Sequence, residues 1–249
     1  MKKIKDYMFY AVLKLFKGSP KQLLYLILFD ALFIITIIVT DIFFKLMKPA
    51  NIYLVLFIQV IHLLLFVFVY SFFKYCILHI ITLFFNEKKF NFNRLLRFYY
   101  LNLILLIFAL VIFYAMGFVY SLIIRPNTGA IVASVVFVIY ALFIYIIIGI
   151  SHSLFVRGFS LKQILKKTMV LLKRTRSYAG MILFSLSVLL IYTVLYNLIT
   201  YILRYLYRDP NTVFLSGYFN FFSLVTLIIL YLLIVFNMLY FYLIVKKSS

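Results

Sequence analysis

The fold is decided by long apolar stretches, and the clearest of them is residues 131–156, which read IVASVVFVIYALFIYIIIGISHSLFV. This stretch contains no proline and no Asp, Glu, Lys or Arg. A helix needs about 20 such residues to cross roughly 30 Å of hydrocarbon, so the stretch predicts a membrane span. Five further stretches qualify, and the six predicted spans are residues 23–44, 52–73, 98–124, 131–156, 178–203 and 219–245.

The composition of the whole chain excludes a soluble fold. Of its 249 residues 67% are apolar, and the mean hydropathy is +1.18. A soluble domain has about 45–50% apolar residues because it must present a large surface to water. Only lipid can cover such an excess. We therefore predict an all-α, polytopic integral membrane protein that forms a single transmembrane domain over residues 1–249.

The basic residues predict the orientation of these spans. The net charge is +20, which in a soluble protein would indicate a nucleic-acid partner. Here the charges lie in short connectors between spans, so we predict no nucleic-acid partner and explain them by topology. Five lie on one predicted side, namely Lys45, Lys48, Arg125, Arg204 and Arg208. Nearly all the others lie on the opposite side. Basic connectors stay in the cytoplasm, which predicts a multi-pass protein of the cell membrane with both termini cytoplasmic.

Two segments have the pattern of amphipathic helices that lie flat at the membrane surface. Residues 1–21 carry Ile4, Met8 and Leu15 on one helical face and lysines on the other. Residues 158–176 begin with Ser160 and Gln163 at the spacing of a capping box. The second segment gathers its basic side chains on one face, at Lys162, Lys166, Lys167, Lys173, Arg174 and Arg176. That face is either a contact for anionic lipid or a protein partner, or a simple anchor that obeys the positive-inside rule.

The spans form a regular series of a basic elbow followed by two helices. Short segments with a polar cap and two aliphatic residues recur at residues 19–24, 91–96 and 160–165. A competing alignment matches the N-terminal helix from Asp6 to the helix from Ser160 instead. The series predicts three hairpins related by rotation about the membrane normal, rather than inverted halves.

The elbows carry a resemblance to a known group. The residues are Tyr10–Pro20, which end in Lys-Gly-Ser-Pro, and the run Arg157-Gly-Phe-Ser-Leu161. In these features the chain resembles YciC-like membrane proteins and the membrane domain associated with glycerophosphodiester phosphodiesterases. The resemblance implies a six-helix membrane domain. It brings no catalytic residues, and the acidic metal ligands of a phosphodiesterase domain are missing.

Side chains for catalysis are scarce. The single glutamate is Glu87, and no two of the four aspartates share a helical face. The single cysteine, Cys76, excludes a disulfide framework or a cysteine-based zinc site. The sequence therefore lacks the paired carboxylates that acid–base catalysis and two-metal hydrolysis require. We predict a protein that is not an enzyme and has no cofactor, no metal and no catalytic residue.

Polar residues at membrane depth are costly and therefore informative. Asp30 in the first span and Lys74 at the end of the second fall at similar depth, because neighbouring spans run antiparallel. They predict an intramembrane ion pair that serves either as structural glue or as a proton or ion relay. The histidines at 62, 79 and 152, and Asn102, Asn197 and Asn237, predict hydrogen bonds between helices.

Two functions fit this pattern. The first is a non-catalytic membrane protein that binds anionic lipid headgroups or a protein partner through its basic cytoplasmic elbows. The alternative is the permease subunit of a transporter whose ATPase is a separate polypeptide. Six spans and a cytoplasmic helix between spans four and five suit that alternative, whereas the absence of glycine- or proline-broken spans opposes it.

Overall fold

The computed structural model describes residues 12, 14–15, 18–47, 51–85, 91–123, 129–173, 175–206 and 213–248. Within them the chain forms seven α-helices. They are α1 (Pro20–Leu46), α2 (Ile52–Leu83), α3 (Leu95–Ile123), α4 (Gly129–Val156), α5 (Leu161–Leu172), α6 (Thr175–Leu206) and α7 (Val213–Ser248). A short 3-10 turn, Phe92–Arg94, leads into α3. Most of the predicted interfacial helix, residues 1–21, lies outside the described residues.

Six of these helices, all except α5, are long and apolar enough to cross a membrane. The prediction of an all-α, polytopic membrane protein with six spans is thereby confirmed. Large apolar side chains along the spans are exposed, such as Ile52, Phe57, Tyr114 and Leu190. Lipid is the solvent that such a surface requires, because every backbone hydrogen bond is already made inside the helices.

The chain divides into two compact units. The first, Lys14–Leu172, contains α1 to α5 and is called here the five-helix unit. In it α2 packs on α1, α3 and α4, and α4 also packs on α3 and α5. The second, called the hairpin unit, contains α6 and α7 packed on each other. Within each unit every span packs on the next, α1 on α2, α2 on α3, α3 on α4 and α6 on α7, so the packing does not single out three hairpins. That all of them form one domain related by rotation stays a prediction.

Local sequence explains where the helices begin. Pro20 occupies the first turn of α1, where its missing N–H leaves no hydrogen bond unmade. The Asn51 side chain accepts a hydrogen bond of 2.9 Å from the Leu54 N–H and so caps α2. At α5 the Gln163 Oε1 accepts from the Ser160 N–H at 3.1 Å, and Ser160 Oγ accepts from the Gln163 N–H at 3.5 Å. The predicted capping box is thereby confirmed.

The second span is longer than its hydrophobic pattern predicted. The predicted span ends at residue 73, and the apolar sequence that follows Lys74 fits either a continuation of the same helix or a bent interfacial piece over residues 75–85. The helix α2 runs unbroken to Leu83. Its last turns are buried, with Ile81 fully inaccessible. Protein packing therefore continues the helix beyond Lys74.

Burial in the five-helix unit concentrates toward one end. There α2 ends, α3 begins and α4 passes into α5, and we call this the basic end because Arg94, Arg97 and Arg157 lie there. No side chain of α2 before Val67 is buried, whereas Val67, Ser71, Tyr75 and Leu78 are. The basic end is therefore the well-packed part of the unit and holds its polar side chains in fixed positions.

Candidate functional site

A chain of three hydrogen bonds crosses the interior of the five-helix unit near its basic end. Asn102 of α3 donates from Nδ2 to Ser71 Oγ of α2 at 2.9 Å. The Asn102 Oδ1 lies 2.7 Å from His152 Nε2 of α4. Ser71 Oγ in turn donates to the Val67 carbonyl at 2.6 Å. All three side chains are at most 5% exposed. We call Ser71, Asn102 and His152 the polar layer.

The order of donors fixes the tautomer of His152. Because Asn102 uses its amide nitrogen for Ser71, its oxygen can only accept, and His152 must donate from Nε2. The imidazole is held by aromatic neighbours, with its ring centroid 4.9 Å from that of Phe98 and 6.4 Å from that of Tyr70. The polar layer therefore joins three spans in a single hydrogen-bond arrangement.

Asp30 and Lys74 lie at the level of this layer. The Phe33 ring of α1 contacts Tyr70 and Phe73 of α2, at 6.1 and 5.8 Å between centroids. The antiparallel pairing of α1 and α2 thus brings Asp30 opposite Lys74. Both side chains are half-buried, and their charges interact electrostatically. Lys74 also acts electrostatically on His152. Whether the pair serves as glue or as a relay stays a prediction.

An arginine joins the two connectors of the basic end. Arg94, in the turn before α3, donates from Nη2 to the Phe155 carbonyl at 3.1 Å. Its guanidinium carbon lies 4.8 Å from the centroid of the Phe155 ring. A cation at the carboxyl end of α4 is also favoured by the helix dipole. The chain then turns sharply at Gly158, whose φ of 98° is strained for any residue with a Cβ.

The helix α5 lies against α4. It buries Ile164, Thr168 and Leu171, and the Thr168 hydroxyl is 3.1 Å from that of Ser151 in α4. Opposite this buried side, Lys162 and Lys166 are exposed. At 3.6 residues per turn these two positions lie about 40° apart. We call Lys162 and Lys166 the lysine face.

The other four predicted basic contacts lie elsewhere. Lys167 is half-buried, with its ammonium nitrogen 3.8 Å from the centroid of the Phe159 ring. Lys173 is exposed in the turn after α5 and belongs to the hairpin unit. Arg174 lies outside the described residues, and Arg176 belongs to α6, because α5 ends at Leu172 rather than continuing to residue 176. The structure thus brings two of the six predicted basic side chains together on one exposed face.

The predicted hydrogen bonds between helices have mixed outcomes. They are confirmed for Asn102 and His152, which bond to each other, and for Asn237, which accepts from Ser185 Oγ at 3.2 Å. For Asn197 the prediction is wrong in what the structure describes, since its side chain donates to the Thr193 carbonyl of its own helix. His62 stacks on Phe44, with centroids 4.4 Å apart.

Ser71 and Arg94 were missed by sequence reasoning. The signal for Ser71 was its depth, since Ser71, Asn102 and His152 lie at matching distances from the basic end in three adjacent antiparallel spans. In the sequence Arg94 is one basic residue among many. Its contact with Phe155 joins residues far apart in the chain, which a local pattern does not reveal. Among the described residues, no group of three His, Cys, Asp or Glu side chains is placed to hold a metal ion.

The fold and these side chains define the class: an all-α, multi-pass membrane protein. The chain matches no family model, and no match to it was found among curated proteins or solved structures. The resemblance to YciC-like proteins therefore stays a prediction.

Proposed function

We propose that this membrane protein is non-catalytic and binds anionic lipid headgroups through the lysine face of α5, on the cytoplasmic side of the cell membrane. The observation that carries the proposal is the exposure of Lys162 and Lys166 side by side, opposite the buried side of the helix. Two ammonium groups with one orientation form a surface for phosphate groups.

The flanks of the lysine face support a position at the membrane surface. Leu165 and Met169 lie on one flank and Val170 on the other, and they are 41%, 52% and 53% exposed. Exposed aliphatic side chains beside lysines are typical of an amphipathic helix at the boundary between headgroups and hydrocarbon. In this arrangement the aliphatic flanks enter the upper acyl region while the lysines meet the phosphates.

Packing holds the lysine face in place. Ile164, Thr168 and Leu171 fix α5 on α4, and the capping box fixes its first turn. Because the helix is already ordered, binding costs little conformational entropy beyond that of the lysine side chains. Each basic residue near an anionic surface contributes about 1 kcal/mol. The two together would favour anionic over neutral lipid on the order of thirtyfold.

The test is native mass spectrometry of the full-length protein released from its own membranes in mild detergent. The wild type should retain anionic phospholipid. The variant Lys162→Gln/Lys166→Gln should lose most of it, whereas the variant with arginine at the same two positions should keep it. A second control replaces Lys246 and Lys247, which are also exposed, by glutamine and removes the same charge elsewhere.

The same spectra distinguish bound lipid from a bound protein partner. Equal lipid loss in both glutamine variants would mean that charge in general, and not the lysine face, retains lipid, and the proposal would fail. A stoichiometric protein adduct the size of an ATPase subunit would instead identify a permease subunit. A smaller adduct that the Lys162 and Lys166 changes remove would make the lysine face a protein-binding surface.

A further inference from the structure

A partly open cleft of about 200 Å³ lies within the five-helix unit between α2, α3 and α4. Two of its lining residues, Tyr70 and Asn102, carry polar side-chain atoms, and the remainder of the lining is apolar. Phe66 and Ala109 mark its deeper part, farther from the basic end. Because these residues lie inside the spans, an apolar chain is the chemistry that fits the cleft.

Tyr70 lines the cleft at the side nearest the basic end, and Lys74 lies one helical turn farther along α2. Phe66, Tyr70 and Lys74 follow one another at intervals of one helical turn and therefore share a face of α2. Side chains of a helix lean toward its amino terminus, which for α2 is the direction of the cleft. The part of a ligand that extends from the cleft past the Tyr70 ring, toward the basic end, therefore lies on the side of the Lys74 ammonium.

The depth of Lys74 corresponds to the headgroup end of a lipid. The ring of the adjacent Tyr75 is 5.6 Å from that of Phe98 and 6.1 Å from that of Phe155, measured between centroids. Phe98 lies in the first turn of α3 and Phe155 in the last turn of α4. Lys74 thus lies within about one turn of the ends of two spans, where lipid phosphates are found.

Asp30 decides what kind of headgroup fits. It interacts electrostatically with Lys74, and the two charges together are neutral. An anionic headgroup would place uncompensated negative charge beside Asp30. A zwitterionic headgroup with a primary ammonium matches both partners, since its phosphate meets Lys74 and its ammonium donates charge-assisted hydrogen bonds to the Asp30 carboxylate. A choline headgroup has no N–H donor for that second contact.

We propose that the cleft binds one acyl chain of a zwitterionic, primary-amine phospholipid such as phosphatidylethanolamine, with its headgroup between Lys74 and Asp30. This site is separate from the lysine face and differs from it in lipid class. The proposal therefore does not depend on the proposed function.

The test uses full-length protein in phosphatidylcholine nanodiscs that contain a trace of phosphatidylethanolamine or phosphatidylglycerol. Both probes carry the same acyl chains with a photoactivatable diazirine, and the labelled peptides are mapped by mass spectrometry. The phosphatidylethanolamine probe should label the segments around Phe66 and Ala109 more strongly than the phosphatidylglycerol probe. Even labelling of all lipid-facing helices, or equal labelling by both probes, would overturn the proposal.

Matched variants locate the chain and the headgroup. Ala109→Phe should remove the preferential labelling by filling the cleft. It leaves intact the backbone carbonyl that accepts from Tyr140 at 2.8 Å. Ala115→Phe, on an exposed part of α3 that lines no described cleft, should label as the wild type does. Asp30→Asn should lower the preference for phosphatidylethanolamine about fivefold, the factor for a change of roughly 1 kcal/mol.

The labelling of the variants also distinguishes loss of the cleft from general damage to the protein. Equal loss of labelling in Ala109→Phe and Ala115→Phe would indicate general damage to α3 and overturn the assignment to the cleft. If Ala109→Phe does not fold, the comparison of the two probes on the wild type decides the proposal. The glutamine variant of the lysine face should keep its cleft labelling, so that failure of one proposal is distinguishable from failure of the other.

Discussion

The polar layer permits a quantitative test of what holds the spans together. The perturbation is Asn102→Leu, which replaces the central side chain of the layer by an apolar one of similar size. It removes the acceptor of the His152 Nε2–H and the donor to Ser71 Oγ, both at buried positions. Ser71 keeps its bond to the Val67 carbonyl, so the unsatisfied group is the His152 N–H.

The expected loss is worked from these two bonds. Hydrogen bonds between membrane helices contribute about 0.6 kcal/mol on average and up to about 1.7 kcal/mol. A buried donor left without a partner costs a further 1–3 kcal/mol, approximately. Asn102→Leu should therefore lower the free energy of unfolding by about 2–5 kcal/mol. On the scale of soluble proteins of this length, 1 kcal/mol corresponds to roughly 2–4 °C in Tm.

The assay is thermal unfolding of the purified protein in a fixed detergent, as a double-mutant cycle with His152→Phe. The double variant leaves no unpaired donor. Its loss of unfolding free energy should therefore be smaller than the sum of the two single losses by about 1–3 kcal/mol. The matched control is Asn197→Leu, an exposed asparagine that bonds only to its own helix among the described contacts. That change should shift the Tm by less than a third as much.

Additive losses in the cycle would refute the argument, because independent effects mean that Asn102 and His152 are not coupled. A loss of stability from Asn197→Leu equal to that from Asn102→Leu would also refute the argument. It would show that burial and contact between helices do not determine how much stability an asparagine contributes.

Two further predictions concern the same unit. Gly158→Ala should lower stability by about 1–3 kcal/mol in thermal unfolding, because a residue with a Cβ is strained at a φ of 98°; an unchanged Tm would show that the elbow relaxes freely. Asp30→Asn should lower the Tm, because it leaves Lys74 without its compensating charge. The loss of unfolding free energy should be smaller than the value of about 3–5 kcal/mol for a fully buried pair, because both side chains are only half-buried. Lys74→Gln in the same chain should restore part of that loss. A stable Asp30→Asn protein that has lost its function would favour the relay over the structural role.

The spans were predictable because their signal is local. Hydrophobicity and length predicted α4 over 131–156, and the helix is Gly129–Val156. The continuation of α2 beyond the predicted span has a physical cause. A charge at Lys74 ends a hydrophobic stretch, but it does not end a helix whose backbone bonds continue and whose next turns are buried by protein. Hydropathy measures the fit to lipid, and it does not report where protein replaces lipid as the covering.

The site was predictable only in its parts. Asn102 and His152 were each expected to bond across helices, but a helical pattern gives the face of a residue and not its partner. Ser71 gave no signal by itself because serine in an apolar helix often bonds to its own backbone, as it does here to Val67. The lysine face was predicted as part of a longer basic helix, and the end of α5 at Leu172 divided that set.

The position of the polar layer follows from the two solvents that meet at the basic end. Deep in hydrocarbon, an unsatisfied amide or imidazole has no alternative partner, so a layer there must be complete to be tolerated at all. Near the ends of α3 and α4 the same groups lie close to headgroups and interfacial water, and partial opening is less costly. The layer can therefore specify how α2, α3 and α4 pack, while Lys74 and Asp30 beside it remain within reach of lipid headgroups. If that reasoning holds, His152→Phe, which changes the polar layer at a residue outside the cleft lining, should reduce stability without changing which lipid labels the cleft, whereas Asp30→Asn should change both.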